Sequence, residues 1–72
     1  MNTYLIPIAD IEAGETWIKK INARSLEECK EKLIEYLSTE YEIDFSLDWN
    51  EFIHEINNHD FLIGEIIDIE EI

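Results

Sequence analysis

Asp44, Ser46, Asp48 and Asn50 fall at alternate positions and are followed by Glu55. Those types and that spacing match positions 1, 3, 5, 7 and 12 of an EF-hand loop, whose oxygens would surround a calcium ion. Two departures count against it. Trp49 stands where the sharp turn requires glycine, and Glu51 stands where the loop carries an apolar residue. Asp48 also has another role as the cap of a helix, so weak surface binding of divalent cations fits better than a true calcium loop.

Glu51 and His54 are spaced i, i+3, as in one half of a carboxylate di-metal helix pair, but the second half is missing from the chain. The two histidines, His54 and His59, and the single cysteine, Cys29, do not supply four tetrahedral ligands for zinc. Cys29 lies on the apolar stripe of a predicted helix, where a thiol is inert packing rather than a nucleophile. The only glycines are Gly14 and Gly64, so no glycine-rich phosphate loop exists. The sequence therefore points to no catalytic residue, no resident metal and no cofactor, and an enzyme is not expected.

The elements that would carry these residues can be read from local signals. Thr3 to Ile11 reads as a strand with apolar residues on both faces, and Pro7 within it favours an edge strand or a bulge at that point. Glu12 to Glu15 supplies a turn, and Thr16 to Ala23 continues as a second strand with Trp17 and Ile21 facing inward and Lys19 awkwardly between them. Ser25-Leu26-Glu27-Glu28 is a capping box that starts a helix predicted over 26–38, with Leu26, Cys29, Leu33, Ile34 and Leu37 as its apolar stripe. Asp48 to Glu51 repeats the capping logic for a short second helix ending near Asn57-Asn58, whose inner face is Trp49, Phe52, Ile53 and Ile56. Asp60 to Ile69 reads as a third strand, with Gly64 as a bulge that shifts the facing of the residues from Glu65 onward. The expected architecture is a small α+β domain of order ββααβ, a three-stranded antiparallel sheet with two helices on one face, spanning residues 1–72.

At 72 residues the core is thin, yet 46% apolar residues are too many for a disordered acidic tail. A lone cysteine excludes an internal disulfide and favours a reducing cytosol, and the first residues lack both a basic n-region and a membrane-length apolar run. Eighteen acids against five bases give a net charge of −13. All five bases lie between residues 19 and 32, while residues 33–72 hold acids and no base. Direct contact with nucleic acid or an anionic membrane is disfavoured by such a field, and a basic protein is attracted.

Asp48, Glu51 and Glu55 share one face of the second helix, so they are expected to project outward as a row imitating backbone phosphates. The expected partner-binding surface is Glu40, Tyr41, Glu42, Asp44, Asp48, Glu51, Glu55, Asp68, Glu70 and Glu71, with Tyr41 as the aromatic anchor. The expected partner is a basic protein that handles nucleic acid, such as a nuclease, whose groove a DNA mimic would block. In general composition the chain is similar to small acidic inhibitors made by bacteriophages, among them anti-CRISPR, anti-restriction and DNA-glycosylase inhibitor proteins, with no motif in common. A second expectation is a structural or adaptor module that works through an apolar interface, a homodimeric one included, since the first strand and Ile66, Ile67 and Ile69 offer apolar surface at a sheet edge or face.

Overall fold

The computed structural model describes residues 1–69. In chain order it contains β1 (Asn2–Asp10), β2 (Glu15–Ala23), α1 (Leu26–Tyr41), α2 (Trp49–Asn58), β3 (Phe61–Ile63) and β4 (Ile67–Asp68). The expected ββααβ order holds, with the last strand in two pieces. All pairings are antiparallel, and β1 is the central strand, with β2 on one side and β3 and β4 on the other.

The hairpin turns through Gly14 at φ 69°, a left-handed conformation that glycine adopts without a Cβ penalty. Asp10 helps to close it, its Oδ1 accepting from the Ala13 amide at 3.1 Å. From there β1 and β2 pair over their full lengths, from Asp10 opposite Glu15 to Asn2 opposite Ala23.

Pro7 therefore sits in a central strand, not at an edge. Its carbonyl accepts from Gly64 N at 2.9 Å, so its missing N–H faces the β3–β4 side and costs the β1–β2 ladder nothing. That side is where the ladder breaks. Between the pairs Ile8–Ile63 and Leu5–Ile67 lie Ile6 and Pro7 on β1 but Gly64, Glu65 and Ile66 opposite them, one residue extra. This is the bulge expected at Gly64. A Cβ at Gly64 would meet the Pro7 ring at 3.2 Å, so the glycine also makes room for the proline.

One face of the sheet carries the core. Tyr4, Ile6, Ile8, Ile21, Ala23 and Phe61 join Cys29, Leu33, Ile34 and Leu37 of α1, Phe52 and Ile56 of α2, and Phe45 between the helices in one buried cluster. Each helix starts at its expected cap residue, Ser25 Oγ accepting from Glu28 N at 3.2 Å and Asp48 Oδ1 from Glu51 N at 3.1 Å. Glu28 pairs with Lys32, and the Asp48 amide donates to Ser46 Oγ, in place of the reciprocal half of each box. Helix α1 runs past the expected end at residue 38 to Tyr41, because the Tyr41 ring packs on Phe61 with centroids 4.5 Å apart. It stops at Glu42, which takes a left-handed conformation, φ 55°, and donates its N–H to the Ser38 carbonyl. Lys19, the awkward inward residue of β2, lays its ammonium 4.2 Å from the Tyr36 ring centroid, so its charge rests on an aromatic face.

Candidate anionic surface

Of the three acids expected in a row, Asp48 and Glu51 are exposed and Glu55 is half-buried, and each accepts a hydrogen bond from the start of α2 or the loop before it. The Ser46 amide donates to Glu55 Oε2 at 2.7 Å, the Ser46 hydroxyl donates to Glu51 Oε2 at 2.9 Å, and the Asp48 amide donates to Ser46 Oγ at 3.2 Å. With Asp48 capping the helix, all three carboxylates fold the 42–48 loop onto the start of α2, and Glu55 is half-buried in doing so. Their spacing encodes a loop clasp built on one serine. The same contacts replace the calcium loop: Asn50 and Glu51 are already helical, and Glu55 is turned to a backbone amide. Among the described residues no group of three or more His, Cys, Asp or Glu side chains is placed to hold a metal ion.

The remaining expected residues are spread over the surface. Glu40, Glu42 and Asp44 are exposed at the end of α1 and in the loop after it. Tyr41 is half-buried against Phe61, and burial, then the carboxylate of Asp10, raises its phenol above its usual pKa. Asp68 lies on β4 opposite Tyr4, where Asn2 Nδ2 donates to its Oδ2 at 3.3 Å. Glu70 and Glu71 lie outside the described residues. His54 is exposed on α2, and His59 follows that helix with its ring edge-on to Phe45 at 6.0 Å. The Cys29 thiol is completely buried, and desolvation raises its pKa against the opposing pull of Lys32 and Lys30, which keeps it protonated and unreactive.

A row of acids that is exposed throughout lies on the other helix. Glu27, Glu31 and Glu35 recur every four residues along α1 and all three are exposed. Neighbours at that spacing stand about 5–6 Å apart on one side of a helix. Glu31 and Glu35 share a cleft of about 590 Å³ with Asp44, and Leu47 projects at its rim, 80% exposed. In the sequence this stripe is obscured because Glu27 and Glu31 lie within residues 19–32, the stretch that holds every base of the chain, while Glu35 lies beyond it.

The structure separates the two signs. Lys30 is half-buried, with its ammonium 5.2 Å from the Trp49 ring centroid. Lys32 donates to the Asn22 carbonyl at 2.7 Å and pairs with Glu28 at 3.3 Å. With Lys19 on Tyr36, three bases are drawn to intramolecular partners, and Lys20 and Arg24 stand exposed on and just after β2. The outward side of α1 is therefore anionic, although residues 19–32, which include its first half, hold more bases than acids. A scan against protein-family models and searches of curated proteins and of solved structures find no match to this chain. Among the described residues no helix is long and apolar enough to cross a membrane.

Proposed function

We propose that this chain is a non-enzymatic binding protein that engages a basic protein through the outer side of α1 and the loop after it. The observation that carries this reading is the sorting of charge on α1, where Lys30 and Lys32 are held by Trp49, Asn22 and Glu28 while Glu27, Glu31 and Glu35 face solvent. Carboxylates in that row, with Asp44 beside them, present regularly spaced negative charge on a rigid element. A cationic groove that evolved to hold a phosphate backbone is complementary to such a row, and the net charge of −13 adds long-range steering toward it. Leu47, at the rim of the cleft lined by Glu31, Glu35 and Asp44, adds an apolar contact beside the charge pairs. The partner class is thus a nucleic-acid-handling protein, and the effect of binding is to occlude its groove in the manner of a DNA mimic.

The test compares the natural chain, immobilised, with the triple variant Glu27→Gln, Glu31→Gln, Glu35→Gln. Host lysate is passed over both, eluted with a salt gradient and read by mass spectrometry. The reading expects a nucleic-acid-binding protein on the natural chain alone, released as the Debye length shrinks from about 10 Å at 0.1 M toward about 3 Å at 1 M and displaced by free nucleic acid. Equal retention on both chains would remove α1 from the binding surface. Retention that survives high salt and ignores added nucleic acid would remove the mimic reading altogether.

A further inference from the structure

Both helices pack on one face of the sheet, and nothing described covers the other. The pairing register places Leu5, Pro7 and Ala9 of β1 on this outer face, with Ile18 of β2, Leu62 of β3 and Ile67 of β4 beside them. Ile18 is 64% exposed, Leu62 50% and Ile67 40%. These are large exposures for residues that form one continuous apolar surface. The bulge helps to build it, because the extra residue brings Ile67 opposite Leu5 and so onto the outer face.

The face is also distinguished by charge. Asp10 and Glu15 follow the core-facing alternation, Glu65 lines a cleft with Lys30 and Trp49 on the helix side, and Glu12 lines one with Tyr41 and His59. Asp68, opposite Tyr4, also takes the core-facing alternation. No acid among the described strand residues lies on the outer face, and its one charge is Lys20, opposite Leu5. A basic partner is steered by the acids and has no reason to settle here. For a second copy of this chain the opposite holds, since almost any other approach sets acid against acid.

We propose that the outer sheet face is the contact of a symmetric homodimer, in which two copies stack sheet against sheet with their helices outward. The surface is complementary to itself. Pro7 and the side-chain-free Gly64 form the floor of a shallow apolar groove of about 770 Å³, and Ile18 and Leu62 form its walls. A two-fold axis lets the Ile18 or Leu62 ridge of each copy seat in the groove of the other. Aligned sheets pack about 10 Å apart in this way, with the strands crossing at about 30°. Nine-residue strands about 30 Å long and three strand positions about 4.8 Å apart give roughly 400 Å² per copy. The pair then buries roughly 800 Å², below the ~1,200–2,000 Å² of standard stable interfaces, so the dimer is a reversible one that dilution dissociates.

Sedimentation velocity over a concentration series, in salt high enough to screen the net charge, tests the proposal. The expected result is a monomer–dimer equilibrium that strengthens with salt and is weakened by more than about tenfold by either Ile18→Glu or Leu62→Glu. Because both side chains are exposed, the circular dichroism spectrum and melting temperature should stay close to those of the natural chain, and variants on two strands guard against a misfolded one. Amide exchange adds a readout specific to this geometry. The Ile18 and Lys20 amides point off the open edge of β2, so they stay fast in a face-to-face dimer. A chain that is monomeric into the millimolar range, a dimer indifferent to both glutamates, or protection of those two amides on association would each overturn the proposal, the last in favour of edge-to-edge pairing.

Discussion

Replacing Glu55 with alanine removes the acceptor that holds the Ser46 amide at 2.7 Å and releases the loop from the start of α2. A backbone N–H left without a partner costs about 1–3 kcal/mol, and bonds to a charged acceptor lie toward the upper end. Glu55 and Ser46 are only half-buried, so water recovers part of that loss, and about 1–2 kcal/mol is expected. Glu55→Gln keeps an oxygen in reach and should lose about half as much. Both variants remove one negative charge, so relief of repulsion is common to them and the difference between them isolates the hydrogen bond. Urea denaturation followed by tryptophan fluorescence is the assay. With an m-value near ~1 kcal/mol/M for so small a chain, the midpoint should fall by roughly 1–2 M in the alanine variant and by about half that in the glutamine variant. Equal midpoints for the two variants, or a rise in both, would refute the clasp and return Glu55 to the set of outward, partner-facing acids.

Two further outcomes are expected. Gly64→Ala sets a methyl group 3.2 Å from the Pro7 ring and should cost about 1 kcal/mol, while the same change made in a Pro7→Ala background should cost less, a coupling that a double-mutant cycle in urea measures directly. Burial raises the pKa values of both Cys29 and Tyr41, so each favours the folded state while protonated and withdraws that support as pH rises from its unfolded value through its folded one. Thermal melts should therefore show stability falling from about pH 8.5 upward, more steeply above about pH 10, and Tyr41→Phe should flatten the upper part.

Much of the local structure is legible because its causes are local. Ser25 and Glu28, or Asp48 and Glu51, lie three residues apart, so the same residues that suggest a helix start also make its cap. The Gly64 bulge is legible for a related reason, since glycine inside a β-branched run has few other uses. The place of β1 in the sheet is not legible, because the hairpin names one neighbour only and the other arrives from residues 61–68. The end of α1 depends on Tyr41 meeting Phe61, twenty positions away, which no window of helical periodicity contains. The candidate site was less legible than the fold. Spacing places Asp48, Glu51 and Glu55 on one side of α2, but their orientation is decided by Ser46, which precedes the helix. Summing charge over residues 19–32 conceals Glu27 and Glu31 among five bases and parts them from Glu35, because the sum ignores that Lys30 and Lys32 turn toward Trp49 and Asn22.

The position of β1 between its sequence neighbour and the last strands also sets an order of events in folding. The β1–β2 hairpin closes a loop of a few residues and can form within about 1–10 μs, and the two capped helices can form faster still. Pairing of β3 and β4 with β1 must close a loop of roughly fifty residues, an entropic cost that no earlier contact offsets until α1 and α2 have condensed on the hairpin. Until then β1 carries a bare edge beside an unfinished core, broken at its middle by Pro7, which has no N–H to offer an intruding strand. The proline that the bulge accommodates in the finished sheet is thus also a guard on the unfinished one.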